Sequence, residues 1–173
     1  MKWIGLIFNG LILFFFSYTS HCAEIGLLSN LTRTVRIALV SDVHINHGTN
    51  RALYQSNYEK VIEQVNSAGV DFVVVAGDLT EDGTADEYAD FKRLTKKFKS
   101  PVRALPGNHD IGNKVLGKGK GEITFKRLID YHFHIGKSYF AEEVCGIRLI
   151  GANSSLFGSG LGKEKTMWQF LDN

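Results

Sequence analysis

Two apolar runs set the strongest limit on how this chain can fold. Residues 35–40, broken only by Arg36, and residues 72–76 are uncharged and rich in β-branched side chains. Runs of this kind form strands buried on both faces. Between them, residues 51–67 place Tyr54, Tyr58, Val61, Ile62 and Val65 at the 3.6-residue period of one helix face, and Gly69 ends the pattern. A second helix is expected over 84–98. There Tyr88, Phe91, Leu94 and Phe98 form a stripe opposite Asp86, Asp90, Lys96 and Lys97. Residues 101–105 follow as a third short strand. Strand, helix, strand, helix, strand is the pattern of an α/β domain with a largely parallel sheet. Such sheets bind ligands beyond the carboxyl ends of their strands.

The remainder is less regular. Residues 111–121 are rich in glycine and lysine and read as an exposed loop. A short helix is expected over 124–133, antiparallel strands over 138–144 and 147–152 joined at Cys145-Gly146, and a helix from 163 to 172. At the other end, Lys2, a mostly apolar stretch over 4–16 and a short polar stretch over 17–23 follow the order of a secretory signal peptide. Residues 1–23 are therefore expected to leave as a leader, 24–34 to be a linker and 35–173 to form the domain. A secreted or periplasmic location follows, with an uncleaved N-terminal membrane anchor as the alternative; the stretch is short for a span and Asn9 and Gly10 interrupt it, so no stable span is expected in the mature chain. Of the two cysteines, Cys22 lies at the leader's end, so no disulfide framework is available and Cys145 reads as a small buried residue. Asn30 and Asn153 head glycosylation sequons.

The chemistry sits where the strands end. The first is followed by Ser41-Asp42-Val43-His44, the second by Gly77-Asp78, the third by Gly107-Asn108-His109-Asp110. In an extended segment residues two apart point the same way, so Asp42 and His44 are expected to face one ion. Gly77 lets the chain turn, and the Asp78 carboxylate can bridge two ions. Asn108 offers a neutral amide oxygen. Imidazole, carboxylate and amide oxygen together suit Mn, Fe or Zn better than Ca or Mg. Two such ions roughly 3.5–4 Å apart would clamp a phosphoryl group and lower the pKa of bound water. His109, adjacent to Asn108, is expected to act on the substrate, either stabilising the phosphoryl oxygens or protonating the leaving alkoxide, with Asp110 orienting its ring.

These three motifs, with their extended forms Ser41-Asp42-Val43-His44 and Ala76-Gly77-Asp78-Leu79-Thr80, resemble the first three motifs of the calcineurin-like metallophosphoesterases. The flavour is closest to the cyclic-nucleotide phosphodiesterase and purple-acid-phosphatase-like members. The resemblance implies a sandwich of two mixed β-sheets flanked by helices. It also implies Asp42 and His44 on a first metal, Asp78 bridging, Asn108 on a second metal and His109 as the catalytic histidine. The substrate would be a small-molecule or nucleotide phosphoester. The family's later Gly-His and Gly-His-x-His motifs have no counterpart, since no histidine follows His134. The expectation is a chain lacking the C-terminal part, with impaired activity. The alternative is a catalytically dead interaction module on the same fold.

Other features carry less. A net charge of +2 and the lack of a basic stripe interleaved with aromatics argue against a nucleic-acid partner. Residues 112–119 approach a phosphate-binding Walker loop, but Gly119 stands where Ser or Thr is required, which argues against a P-loop nucleotide-binding protein. His132 and His134 are spaced like ligands but lack a neighbouring glycine or carboxylate, so packing or surface roles are expected. His47 reads as a solvated loop histidine, and His21 goes with the leader.

Overall fold

In the computed structural model, residues 2–8, 11–21, 32–113 and 122–172 are described. The main sheet runs in the order β1 (Lys2–Phe8), β2 (Leu11–His21), β3 (Thr32–Ser41), β4 (Phe72–Ala76), β5 (Val102–Leu105). The pairs β3–β4 and β4–β5 are parallel, whereas β1–β2 and β2–β3 are antiparallel. The sheet is thus mixed. The stretch expected to leave as a leader pairs as a hairpin along β3, and β3 takes in the last three residues of the expected linker. No helix among the described residues is long and apolar enough to cross a membrane.

The parallel half follows from the apolar runs. Ala38, Val40, Val73 and Val75 are completely buried beneath α1 (Arg51–Ala68) and α2 (Ala85–Thr95). Helix α1 buries Tyr58, Val61, Ile62 and Val65 and ends at Gly69 in the left-handed region, the usual place for glycine at a helix end. Helix α2 starts with a capping box: the Thr84 hydroxyl accepts from Glu87 N–H, and the Glu87 carboxylate accepts from Thr84 N–H. The single turn α3 (Asn108–Ile111) follows β5 and carries the third motif.

The alternate residues of the strands face the other way. Val35 and Phe72 are buried there with Val144, and Ile37, Val74, Ile147 and Leu149 pack around them half-buried. The cover is a second sheet, the antiparallel hairpin β6 (Phe140–Val144) and β7 (Ile147–Gly151). Its turn holds Cys145 at φ 48° and Gly146 at φ 78°, the pair of positive φ values that a two-residue hairpin turn requires. Cys145 is half-buried at that turn rather than inside the core. Helices α4 (Phe125–His134) and α5 (Gly162–Leu171) add Leu128, Tyr131 and Met167 to the core. Two sheets with helices on the outside match the expected sandwich architecture. Most of the Walker-like stretch and the Asn30 sequon fall outside the described residues. Asn153 is fully buried and its side chain accepts from Ser155 N–H, which closes that sequon in the folded chain.

Candidate metal centre

The loops leaving β3 and β4 stay zipped together beyond the strands. Asp42 N–H donates to Gly77 O (3.2 Å), His44 N–H to Asp78 O (2.9 Å), Ile45 N–H to Leu79 O (3.1 Å) and Glu81 N–H to Ile45 O (2.9 Å). This continued pairing puts the first two motifs side by side. It also bends them sharply: Asp42, His44 and Asp78 have φ values of 58°, 50° and 50°. Left-handed backbone at a non-glycine residue costs about 1–3 kcal/mol and gathers where function requires it. Three of the four such residues among the described residues lie here, and the fourth is the hairpin turn at Cys145. The expected reason for the pairing of Asp42 with His44 is therefore corrected. The two follow the strand in left-handed turns instead of lying on one side of an extended segment. His44 Nε2 still comes within 4.0 Å of Asp42 Oδ1.

The third motif is brought in through Asp78 and Gly107. His109 N–H donates to Asp78 Oδ1 at 3.1 Å. Gly107 lies so close that a Cβ there would collide with the Asp78 carboxylate and its main-chain nitrogen. Only glycine allows this approach. One ligand atom each from His44, Asp78 and His109 then falls within 4.8 Å of the others. His109, set apart by sequence as the catalytic group, thus converges with the ligand-type side chains. Asn108 opens α3 and is exposed at the same edge. The two histidine rings meet edge to face with centroids 4.7 Å apart.

The expected partnership of Asp110 with His109 is not what the fold provides. Asp110 is buried, and its carboxylate accepts from Gly107 N–H (2.8 Å), Leu79 N–H (3.1 Å), Thr80 N–H (3.0 Å) and the Thr80 hydroxyl (2.7 Å). Two donors fall on each oxygen, so nothing remains for His109. Asp110 staples the second loop to the third from below. Burial pushes its carboxyl up to about 6, against the pull of these donors.

The partner of His109 is instead Glu81, which sequence reasoning passed over. His109 Nδ1 lies 2.8 Å from the Glu81 carbonyl oxygen, and His44 Nδ1 lies 2.9 Å from Glu81 Oε2. The available signal was a carboxylate three residues past Asp78 in a tight loop. Burial works against a charge on His109, but the Glu81 carbonyl and the carboxylates of Asp78, Glu81 and Asp110 outweigh it and hold the imidazole above its usual pKa.

His47, His132 and His134 have partners of their own. His132 Nε2 is 3.0 Å from the Ser138 hydroxyl, and His134 stacks on Tyr88 with centroids 5.5 Å apart, so both pack as expected. His47 is not simply solvated. Its Nε2 lies 2.9 Å from Asp90 Oδ2, on a carboxylate that also takes Arg51, Gln55 and Arg93. Tyr54, assigned by periodicity to the core, is half-buried with its ring centroid 6.5 Å from that of His44.

The donor set fits transition-metal ions. Carboxylate and imidazole donors converge at a half-exposed edge, and the backbone that delivers them is strained. Comparison with known proteins agrees. The probable glycerophosphodiester phosphodiesterase GpdQ of Arcobacter nitrofigilis is 30% identical over 141 residues, 76% of this chain and 49% of that protein. The 3',5'-cyclic adenosine monophosphate phosphodiesterase CpdA of Pseudomonas aeruginosa is 31% identical over 74 residues, 42% of this chain and 27% of that protein. A probable cyclic nucleotide phosphodiesterase of Coxiella burnetii is 34% identical over 89 residues, 47% and 36% of the two chains. The chain spans about half the length of the first of these relatives and matches less of the others. The profile of the calcineurin-like phosphoesterases matches residues 35–163, three quarters of the chain, and the chain belongs to that family.

Proposed function

We propose that this chain carries one half of a two-metal centre that hydrolyses phosphodiesters of small molecules or nucleotides. The observation that carries the reading is the convergence of His44, Asp78 and His109 within 4.8 Å at the strand-end edge. The phosphodiesterase names of the relatives support the substrate class. Asp42 and His44 would hold the first ion, Asp78 would lie between two ions, and Asn108 would serve the second. Bound Mn, Fe or Zn would neutralise phosphoryl oxygens and supply an activated water. The chain's own contribution to bond cleavage is His109. A ring held above its usual pKa carries its proton to higher pH than a free imidazole does, and it would give that proton to the leaving oxygen.

With no histidine after His134, the second ion would draw only Asp78 and Asn108 from these residues. The first ion is then the tighter one, and turnover by this chain alone is slow. The N-terminal leader pattern supports export to a secreted or periplasmic location. The test is metal analysis after loading with Mn or Zn, alongside hydrolysis of bis-p-nitrophenyl phosphate and p-nitrophenyl phosphate. One firmly held ion and slow, chelator-sensitive cleavage favouring the diester are expected. Cleavage that survives chelation, or a folded chain that takes up no metal, would reject the reading.

A further inference from the structure

We infer that Glu81 is a positioning residue for the metal centre: its side chain on His44 and its main-chain carbonyl on His109 decide which ring nitrogen each histidine turns to the site. The inference rests on the metal reading above.

Glu81 follows the second motif in sequence and touches the first and the third. Its N–H donates to Ile45 O at 2.9 Å, beside His44. Its Oε2 lies 2.9 Å from His44 Nδ1, and its carbonyl oxygen lies 2.8 Å from His109 Nδ1. Both histidine partners are acceptors only, since neither a carboxylate nor a carbonyl oxygen has a proton to give. Each Nδ1 must therefore carry hydrogen. In the neutral rings the lone pair is left on Nε2, the nitrogen a metal or substrate would meet. His44 Nε2 faces Asp42 Oδ1 at 4.0 Å, too far for a hydrogen bond. The two nitrogens of His44 thus address two carboxylates in different ways. A carboxylate on the remote nitrogen of a metal-binding imidazole sets its tautomer and strengthens it as a ligand.

The side chain and the main chain of Glu81 do separable work, and substitution separates them. The Glu81 side chain is about 40% exposed, so truncation leaves no hole in the core. Glu81→Ala removes the hold on His44 and keeps the carbonyl under His109. Glu81→Gln keeps an acceptor for His44 but removes the charge.

The experiment is nitrogen-15 NMR of the histidine rings in the metal-free full chain at mildly alkaline pH, followed by zinc titration, for the parent and both variants. The parent should show both His44 and His109 protonated on Nδ1. Glu81→Ala should shift His44 away from that tautomer, leave His109 unchanged and weaken zinc binding roughly 10–100-fold. Glu81→Gln should keep the tautomer and lose less affinity. An unchanged His44 tautomer in Glu81→Ala would overturn the proposal, as would a changed tautomer with undiminished zinc affinity. A parent that shows both tautomers but takes no zinc would uphold the hold of Glu81 on the rings and sink the metal reading instead.

Discussion

Two layers of the strand-end edge differ in nearly every physical respect. The lower layer is the Asp110 staple. It is buried, two donors fall on each carboxylate oxygen, and Tyr88 adds a hydroxyl donated to the Asp110 carbonyl at 3.0 Å. The upper layer holds Asp42, His44, Asp78, Asn108 and His109. It is half-exposed or exposed, left-handed at three positions, and its ligand atoms point at one another. The lower layer supplies the stability that lets the upper one keep its strained backbone. Substitutions below should therefore unfold the protein, and substitutions above should disarm it.

The largest effect is expected from Asp110→Ala. Three main-chain N–H groups and the Thr80 hydroxyl would lose their acceptor in a dry environment, a loss of about 3–5 kcal/mol. Urea denaturation measures it, and a loss below about 1 kcal/mol would erase the distinction between the layers. Gly107→Ala should come next, at about 1–3 kcal/mol. It sits where the layers meet, so it should also lower metal affinity by pushing Asp78 aside.

A smaller effect distinguishes two buried carboxylates by pH. Asp110 is raised in the fold, so the native state keeps its proton after the unfolded chain has lost it. Its contribution favours the fold below the ordinary carboxylate range and fades as pH climbs to about 6. Asp90 is the opposite case. Burial raises its pKa, but the bonds from Arg93, Arg51 and His47 outweigh that and hold it low. Its contribution is present above the ordinary carboxylate range and is lost as pH falls through its lowered value. Urea midpoints across the acid range should drop less steeply in Asp90→Asn than in the parent; parallel curves would remove Asp90 from the account.

The helix-covered half of the fold was legible in the sequence because its signals are local and redundant. β4 lies where its apolar run does, and α1 and α2 match their stripes to within a few residues. The site residues were legible as strand-end motifs, and the fold brings His44, Asp78 and His109 together. Their support was not legible. Asp110 follows His109 in sequence, yet its acceptors are used up by Gly107, Leu79 and Thr80. Glu81 serves both histidines through contacts spanning 28 and 37 residues. No periodicity announces a contact that depends on two loops zipping together. The left-handed backbone at Asp42 and His44 was hidden for the same reason, since extended geometry is the default after a strand. The apolar N-terminal stretch carries a leader's composition and also pairs along β3, so its composition suits either state.

The smallest effect on stability and the largest on function are expected from the same change, Asp78→Asn. The amide can still accept from His109 N–H, so unfolding should shift by less than about 0.5 kcal/mol. The carboxylate charge at the centre of the ligand cluster is lost. The direct test is calorimetric titration of the folded parent chain and of Asp78→Asn with zinc, with urea unfolding of both. At least one firmly bound ion is expected in the parent, none in the variant, and superimposable unfolding curves without metal. Undiminished zinc binding by Asp78→Asn, or a parent that folds but binds no ion, would contradict the metal reading.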